Sequence, residues 1–485
     1  MNKYKKTLLI VTALLVVFAG YTLSKSLFIS SKQPPPAPTT VELNEDGAVQ
    51  RFSKALTFKT VSYQDRQKFD FNEFNRFIAF LRDSYPNVHE KLELEFINDY
   101  GLVYKWMGAN PNEQPIGFTS HYDVVPVLSG TENEWEYDPF SGSVKNKMIW
   151  GRGTLDDKIG VIGILEAAEY LLNEGFAPTR DIYFMFGFDE EIGGELGAQA
   201  IAETLKQRGI QFDFILDEGG AIVENMVPGV DQPVGVVGIS EKGSATATIS
   251  IKGSGGHSSQ PKNRTNIGRI ASAISKLEET QFDGNLRGPG NDLFEFVAPE
   301  MNFGMKYVFA NKFLFKPVIE HILLQKPATA ALIRTTIAPT IFQAGEQYNA
   351  LPEEASAIVN LRLMPGDSLA DVKKFIVNTI NDAEITVTVT GSEASNVSSI
   401  DGPQFKSIQQ AARNVYNEAI IAPYLMFAGS DAKHYDMISD NTYRFLPIEI
   451  TSDDLNRMHG TNEHISIKNY LSAIKFYIEI IKETN

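Results

Sequence analysis

The chain has 485 residues, which is more than a single domain usually contains, and 43% of them are hydrophobic. Its formal net charge of −16 argues against nucleic acid as a partner, because phosphate binding needs a concentrated basic surface. The absence of cysteine excludes disulfides, thiolate metal sites and a cysteine nucleophile. We therefore expect an acidic protein with two domains.

Residues 1–30 have the composition of an export signal. Three lysines precede an apolar run from residue 8 to about residue 23, and a proline-rich linker at 31–43 follows. The run is about long enough to span a bilayer, which needs roughly 20 residues, and the lysines would keep the amino terminus in the cytoplasm. Residues 17–19, Val-Phe-Ala, also fit a cleavage site. A retained membrane anchor and a removed signal peptide of a secreted or periplasmic protein both stay open. Both place the body outside the cytoplasm.

Four apolar, strand-like runs between residues 116 and 218 end in side chains that can bind metal. These ends carry His121 and Asp123, then Asp156 and Asp157, then Asp189, Glu190 and Glu191, and finally Asp217 and Glu218. In open α/β sheets ligands gather at the carboxyl ends of the strands, so we expect these groups to face one crevice. Histidine and carboxylate without thiol suit a hydrolytic metal site. Alternating helix and strand patterns predict an α/β catalytic domain composed of 44–240 and 393–485.

Residues 241–392, between these two parts, follow the order strand, helix, two strands, helix, strand. This order is typical of a ferredoxin-like fold, so we expect a smaller α+β domain inserted into the larger one. Within it, the stretch 282–333 is unusually aromatic. Its rings could line a groove for a long apolar substrate, or contact a membrane or a partner chain. Local packing of a helical core is an equal alternative.

Five segments, in this order and approximate spacing, resemble the M20 family of co-catalytic zinc peptidases and amidohydrolases. They are 120–126 (SHYDVVP), 151–158 (GRGTLDDK), 189–194 (DEEIGG), 216–220 (LDEGG) and 458–463 (MHGTNE). The branch that the chain resembles is that of carboxypeptidase S and the N-fatty-acyl-amino-acid synthase/hydrolases. The resemblance implies a zinc-peptidase-like catalytic domain, with a central mixed sheet and helices on both faces. It also implies that the inserted domain is a lid or a dimerisation domain.

The resemblance further implies a site for two zinc ions per chain. The implied ligands are His121 and Asp217 for one ion, Glu191 and His459 for the other, and Asp156 as the bridge between them. Glu218 stands next to Asp217 and stays open as an alternative ligand. Asp123 would accept the hydrogen bond of the far nitrogen of His121 and fix its tautomer. Glu190 would take a proton from the water held at the metals and return it to the leaving amine.

Substrate contacts are implied for His257, Asn349 and Arg362 in the inserted domain. His257 would stabilise the oxyanion, often from the neighbouring subunit of a dimer, and Arg362 suits a substrate carboxylate. The whole pattern predicts an exported hydrolase that cleaves an N-acyl amino acid and can catalyse the reverse condensation. A carboxypeptidase or dipeptidase for short peptides is the alternative. The alternative from another class of protein is a non-catalytic binding protein on this scaffold. Such a protein would lack a metal ligand or the general base, and none of these residues is missing.

Overall fold

The computed structural model describes residues 3–261 and 263–485. The helices are α1 (Lys3–Leu27), α2 (Glu45–Ala55), α3 (Phe71–Ser84), α4 (Pro86–Lys91), α5 (Lys158–Asn173), α6 (Ala198–Gln207), α7 (Asn266–Glu279), α8 (Gly288–Val297), α9 (Phe303–Ala310), α10 (Lys312–Leu323), α11 (Pro327–Ala331), α12 (Leu369–Ile380), α13 (Pro403–Val415), α14 (Ala432–Tyr435), α15 (Ser452–Arg457) and α16 (Ile467–Glu483). The strands are β1 (Glu93–Ile97), β2 (Gly101–Trp106), β3 (Ile116–His121), β4 (Val144–Lys145), β5 (Met148–Trp150), β6 (Ile182–Gly187), β7 (Phe214–Asp217), β8 (Ile222–Val223), β9 (Val234–Glu241), β10 (Gly243–Lys252), β11 (Gly256–His257), β12 (Thr336–Ala344), β13 (Ala350–Leu351), β14 (Glu354–Leu363), β15 (Thr386–Ser392), β16 (Ile420–Met426), β17 (Thr442–Arg444), β18 (Glu449–Ile450) and β19 (His464–Ser466).

The larger sheet has the strand order β1-β2-β6-β3-β7-β17-β9-β8-β18, and β16 pairs with β9 beside this path. β3 is parallel to β6 and β7, whereas β2 is antiparallel to β6. Helices α5 and α16 pack on one face, and α6 and α14 pack on the other. Because both faces are covered, every residue of the central strand β6 is buried. The predicted mixed sheet with helices on both faces is confirmed.

A second, antiparallel sheet has the strand order β12-β14-β10-β15. In chain order its elements are β10, α7, β12, β14, α12 and β15, which is the ferredoxin-like pattern expected from the sequence. Side chains alternate along β10, and its buried members pack with α7 and α12 in a separate core. The role of this unit as a lid or in dimerisation stays a prediction, as do the domain boundaries.

The aromatic stretch forms helices α8 to α11 between α7 and β12. Most of its buried rings join the core of the larger unit: Phe294 stacks on Phe309 at 4.8 Å, and Phe296 meets Phe405 of α13 edge-on at 5.6 Å. Phe282 instead stacks on Phe375 of α12 at 3.9 Å, within the smaller core. The stretch therefore links the two cores and is packed largely against the larger one.

Among the described residues, α1 is the one helix long and apolar enough to cross a membrane. Its role as a membrane anchor or as a cleaved signal peptide stays a prediction. The proline-rich linker that follows lies against the body: the Gln33 side chain donates to the Ile421 carbonyl at 3.1 Å and accepts from the Ile421 amide at 2.8 Å. The Ala37 amide donates to Asn414 at 3.0 Å. The linker therefore packs along the surface of the body rather than extending freely from it.

Candidate metal centre

Three neighbouring strands, β6, β3 and β7, bring the predicted side chains to one edge of the larger sheet. His121 is the last residue of β3, Glu190 and Glu191 follow β6 by three and four residues, and Glu218 follows β7 directly. Asp156 belongs to the turn before α5, where the Asp157 carboxylate caps the helix by accepting from the Gly160 amide. A crevice is present at the strand ends, and Asp156, Glu190, Glu191 and Glu218 line it. Asp189 does not, because its carboxylate accepts from the amides of Leu196 and Gly197 at 2.9 and 2.8 Å.

Asp156 lies between two histidines from distant parts of the chain. Its Oδ1 is 3.0 Å from His121 Nε2, and its Oδ2 is 2.8 Å from His459 Nε2. Glu191 Oε2 is 3.2 Å from the same His459 nitrogen. Asp156 therefore has the position of a bridge between two groups of potential ligands.

Each of these two groups is compact enough to hold an ion. In the first, one atom from each of His121, Asp156 and Glu218 lies within 4.8 Å of the others; in the second, the same holds for Asp156, Glu191 and His459. Nitrogen and oxygen donors without sulfur suit zinc, and also cobalt or manganese. Four of the five ligands implied by the resemblance are thus brought together.

Asp217 is the exception, because within the described chain it belongs to neither group. Its Oδ2 accepts a hydrogen bond from the Ala432 amide at 2.6 Å, at the start of α14, and burial raises its pKa to about 6. Successive side chains at a strand end point to opposite faces. Asp217 thus faces α14, and Glu218 faces the crevice with its Oε1 4.0 Å from His121 Nε2. Of the two open alternatives, Glu218 lies in the group with His121 and Asp156, and Asp217 stays a prediction of the resemblance.

Asp123 is fully buried and connects the loops on both sides of the crevice. His121 Nδ1 lies 3.1 Å from the Asp123 carbonyl oxygen and 3.3 Å from its Oδ1. The same carboxylate accepts hydrogen bonds from the Ser62 hydroxyl at 2.6 Å and from the amides of Glu190 and Glu191 at 3.2 and 3.3 Å. Asp123 therefore holds the His121 ring and the loop after β6 in one arrangement.

Glu190 faces the same crevice but belongs to neither group of potential ligands among the described residues. Its Oε2 lies 3.9 Å from His121 Nε2. Burial, together with the negative charges of Asp431 and Asp156, raises the pKa of this carboxyl well above its usual range. A carboxylate in such a field gains a proton readily, which is the property that a general base needs.

The donor set fits a cation. Glu191 Oε1 is buried and has no hydrogen-bond partner among residues 3–261 and 263–485, which is costly unless a cation or another donor meets it. Hydrogen bonds from His459 to Asp156 and Glu191 raise the pKa of this imidazole to about 10, so the local potential is strongly negative. A bound dication would relieve the repulsion among Asp156, Glu191 and Glu218.

An apolar cavity of about 440 Å³ opens directly onto this cluster. Asp156, Glu190, Glu191, Glu218 and His459 are among the residues that line it. The remaining wall is mainly hydrophobic and comes from the larger sheet and from the aromatic stretch, with Val223, Met226, Leu293, Phe294, Leu332, Tyr424, Phe427 and Ile448 among its residues. The sequence left a groove in the aromatic stretch as one of several alternatives, and it did not indicate the contribution of the sheet, because these residues are far apart in the chain.

His257, Asn349 and Arg362 lie in or beside the smaller sheet, and none of these three described residues lines the cavity. His257 pairs with Ala350 in the ribbon β11–β13, the Asn349 carbonyl accepts from the Ser258 amide at 3.2 Å, and His257 and Asn349 are exposed. Arg362 is half-buried in β14. The structure therefore does not bring these residues to the cluster within one chain.

A compact histidine and carboxylate cluster at the strand ends of a mixed sheet, open to a substrate-sized cavity, defines the class of metal-dependent hydrolases. The model of peptidase family M20/M25/M40 matches residues 117–483, and the chain belongs to this family of metallopeptidases. It is an enzyme of the branch that contains carboxypeptidase S and the N-fatty-acyl-amino acid synthase/hydrolases.

Relatives match over nearly the whole chain. The chain is 39% identical to the probable carboxypeptidase S-like 2 of Dictyostelium discoideum, covering 100% of this chain and 95% of the relative. It is 33% identical to the N-fatty-acyl-amino acid synthase/hydrolase PM20D1 of Xenopus tropicalis, covering 98% and 93%. The M20 family metallo-carboxypeptidase Sso-CP2 from Sulfolobus solfataricus has a similar fold, with a TM-score of 0.65 and 19% identity over 90% of this chain and 99% of that one.

Proposed function

We propose that this enzyme is a di-zinc amidohydrolase that cleaves N-acyl amino acids and can catalyse their synthesis in reverse. The observation that carries the proposal is the apolar cavity that ends at the metal cluster. An acyl chain held there would put its amide bond beside Asp156, Glu190 and His459. The similarity to a relative named as an N-fatty-acyl-amino acid synthase/hydrolase supports this choice.

The cavity favours an acyl chain over a short peptide. Each buried methylene contributes about 0.8 kcal/mol, so an acyl chain gains affinity along the whole wall. A dipeptide would instead bring a charged amino group into an apolar space, which costs free energy unless a partner is present. A carboxypeptidase for peptides with an apolar penultimate side chain is the second candidate, supported by the 39% identical relative named as carboxypeptidase S-like.

We assign His121, Asp156 and Glu218 to one zinc ion, and Asp156, Glu191 and His459 to the other. The bound ions would acidify water and polarise the scissile carbonyl. Glu190 accepts the proton of the attacking water at a carboxylate oxygen and delivers it to the nitrogen of the leaving amino acid. Asp123 keeps His121 in the tautomer whose Nε2 faces the ion.

The free carboxylate of the substrate would be bound by residues of the smaller domain. Because His257 and Asn349 are exposed, we propose that they reach the active site of a partner subunit in a homodimer. Arg362 would bind the substrate carboxylate through its two-pronged donors. The active site would lie outside the cytoplasm, either on a chain anchored in the membrane by α1 or on a secreted chain.

The test compares two substrates side by side. The full chain, purified in detergent and loaded with zinc, is given an N-fatty-acyl amino acid and a dipeptide at equal concentration, and release of free amino acid is measured. We expect faster release from the acyl substrate, complete loss after chelation and recovery when zinc is restored. Preference for the dipeptide would support the carboxypeptidase, and turnover that survives chelation would rule out both.

A further inference from the structure

Helices α9 and α10 expose an unusual number of large apolar side chains. Phe303, Phe313, Leu314, Val318 and Ile322 each have between 46% and 59% of their surface exposed. Leu314, Val318 and Ile322 are spaced by four residues and so share one face of α10. A contiguous exposed apolar face of this kind marks a contact with a membrane or with another protein. We call this set of five side chains the α9–α10 face.

The α9–α10 face continues directly into α1. The Phe313 ring meets Phe18 edge-on at 6.5 Å and lies 6.4 Å from the Tyr21 ring. The buried Thr22 hydroxyl is 2.8 Å from the hydroxyl of Tyr307, and the Asn311 side-chain amide donates to the Thr22 carbonyl at 3.0 Å. These polar contacts fix the last turns of α1 on α9 and α10.

Lysines set the level of this contact relative to a bilayer. Lys6 and Lys25 flank the apolar residues 7–24 of α1, whose helical length of about 27 Å matches a hydrocarbon core of about 30 Å. When α1 spans the membrane, Lys25 is at the head-group level. Lys25 Nζ lies 5.1 Å from the Phe313 ring centroid, so Phe313 is at the same level.

The sequence of α9 and α10 is basic, although Lys312 Nζ lies 2.8 Å from Glu295 and Lys316 Nζ lies 3.7 Å from Glu320. Residues 301–326 contain four lysines and one acidic residue, Glu320, in a chain with a net charge of −16. Lys316 and Lys326 are both exposed, next to the apolar side chains. Basic residues at an apolar surface are attracted by anionic lipid head groups.

We propose that the α9–α10 face lies in the head-group and upper acyl region of an anionic phospholipid bilayer, as an extension of the membrane contact of α1. The bilayer is favoured over a second copy of the chain because the face is continuous with an apolar helix of spanning length and is bordered by lysine. The contact fixes the orientation of the body above the membrane.

A consequence for substrate entry follows. Phe294 lines the cavity and stacks on Phe309 of α9 at 4.8 Å, so the cavity wall and the α9–α10 face are two sides of one helical layer. An acyl substrate dissolved in the bilayer would therefore lie near the cavity. This consequence rests on the proposed function, whereas the membrane contact does not.

The test uses the absence of cysteine from the chain. Single cysteines are introduced into the full chain by Val318→Cys and Ile322→Cys. The matched control is Val377→Cys on α12, which packs on the smaller sheet. The side chain of Val377 is 47% exposed. Each is labelled with a polarity-sensitive fluorophore and reconstituted into vesicles of phosphatidylcholine and phosphatidylserine. All three variants carry the same helix α1, so a difference between the probes reports the face rather than the attachment of the chain.

We expect blue-shifted emission at 318 and 322, quenched by nitroxide-labelled lipid, and neither effect at 377. Emission and quenching at 318 and 322 equal to those at 377 would overturn the proposal. A blue shift at 318 and 322 without lipid quenching would also overturn it, and would assign the face to contact between two copies. Because these readouts involve no substrate, they are independent of the outcome of the hydrolysis test.

Discussion

Arg152 and Glu463 form a fully buried ion pair in which Nη1 of the arginine donates to Oε2 of the glutamate at 2.6 Å. The other glutamate oxygen accepts from the amides of Gly153 and Leu155 at 3.0 and 2.7 Å, and Arg152 also donates to the Gly460 carbonyl at 2.9 Å. The pair therefore joins the turn that carries Asp156 to the loop that carries His459.

Removal of Arg152 from this pair leaves a buried carboxylate without its partner. We expect Arg152→Met to lower the free energy of unfolding by about 3–5 kcal/mol, as for other broken buried pairs, and to weaken metal binding because the two loops separate. The matched control is Arg208→Met, which breaks an exposed pair with Glu95 and is expected to cost less than about 1 kcal/mol. Urea unfolding that gives equal losses for the two variants would contradict the structural role of the Arg152–Glu463 pair.

Glu190 is the proposed base. Glu190→Gln keeps the size of the side chain but cannot accept the proton of water, so we expect turnover to fall by about 10²–10⁴-fold. The zinc content should stay unchanged, because Glu190 is in neither ligand group, and the variant should be at least as stable as the unchanged chain, because it removes a buried carboxyl surrounded by negative charge. Glu195→Gln, an exposed change in the same loop region, should keep full activity. Glu190→Gln with near-normal turnover would remove Glu190 from the mechanism.

The metal content of two variants distinguishes Glu218 from Asp217 as the ligand. We expect Glu218→Gln to bind zinc more weakly at the site with His121, so that native mass spectrometry finds one ion where the unchanged chain holds two. Asp217→Asn should retain both ions, because its carboxylate accepts from the Ala432 amide rather than facing the crevice. Loss of an ion in Asp217→Asn but not in Glu218→Gln would restore the assignment implied by the sequence resemblance.

Lys242 gives a prediction about pH. Burial lowers the pKa of this amine from 10.5 to about 8, so between these values the unfolded chain binds the proton more strongly than the folded chain. The free energy of unfolding contributed by this group therefore rises with pH, by about 2 kcal/mol between pH 8 and 9.5. Lys242→Met removes this gain. Urea unfolding of both proteins at pH 7.5 and 9.5 should show the stability of the variant falling relative to the unchanged chain, and a pH-independent difference would contradict this.

The apolar runs and the carboxylates at their ends were sufficient to predict the α/β sheet and the crevice, because strand-end position is a local property. The sequence left the choice between Asp217 and Glu218 open, because the direction of each side chain depends on which residue ends β7 and which face it takes. The Arg152–Glu463 pair and the cavity wall are non-local, because their members are far apart in the sequence. The ordered packing of the linker at Gln33 was missed because its partners, Ile421 and the Asn414 side chain, lie nearly 400 residues further along the chain.

The central claim is that the apolar cavity holds the acyl chain while the metal cluster hydrolyses the amide. Its most direct test is kcat/KM for N-acyl amino acids of increasing acyl length, for the unchanged chain and for Leu293→Trp, which narrows the cavity. We predict that kcat/KM rises about fourfold per methylene until the cavity is full, and that Leu293→Trp reaches its plateau at a shorter chain. A kcat/KM that does not depend on acyl length, or the same profile for both proteins, would contradict the claim.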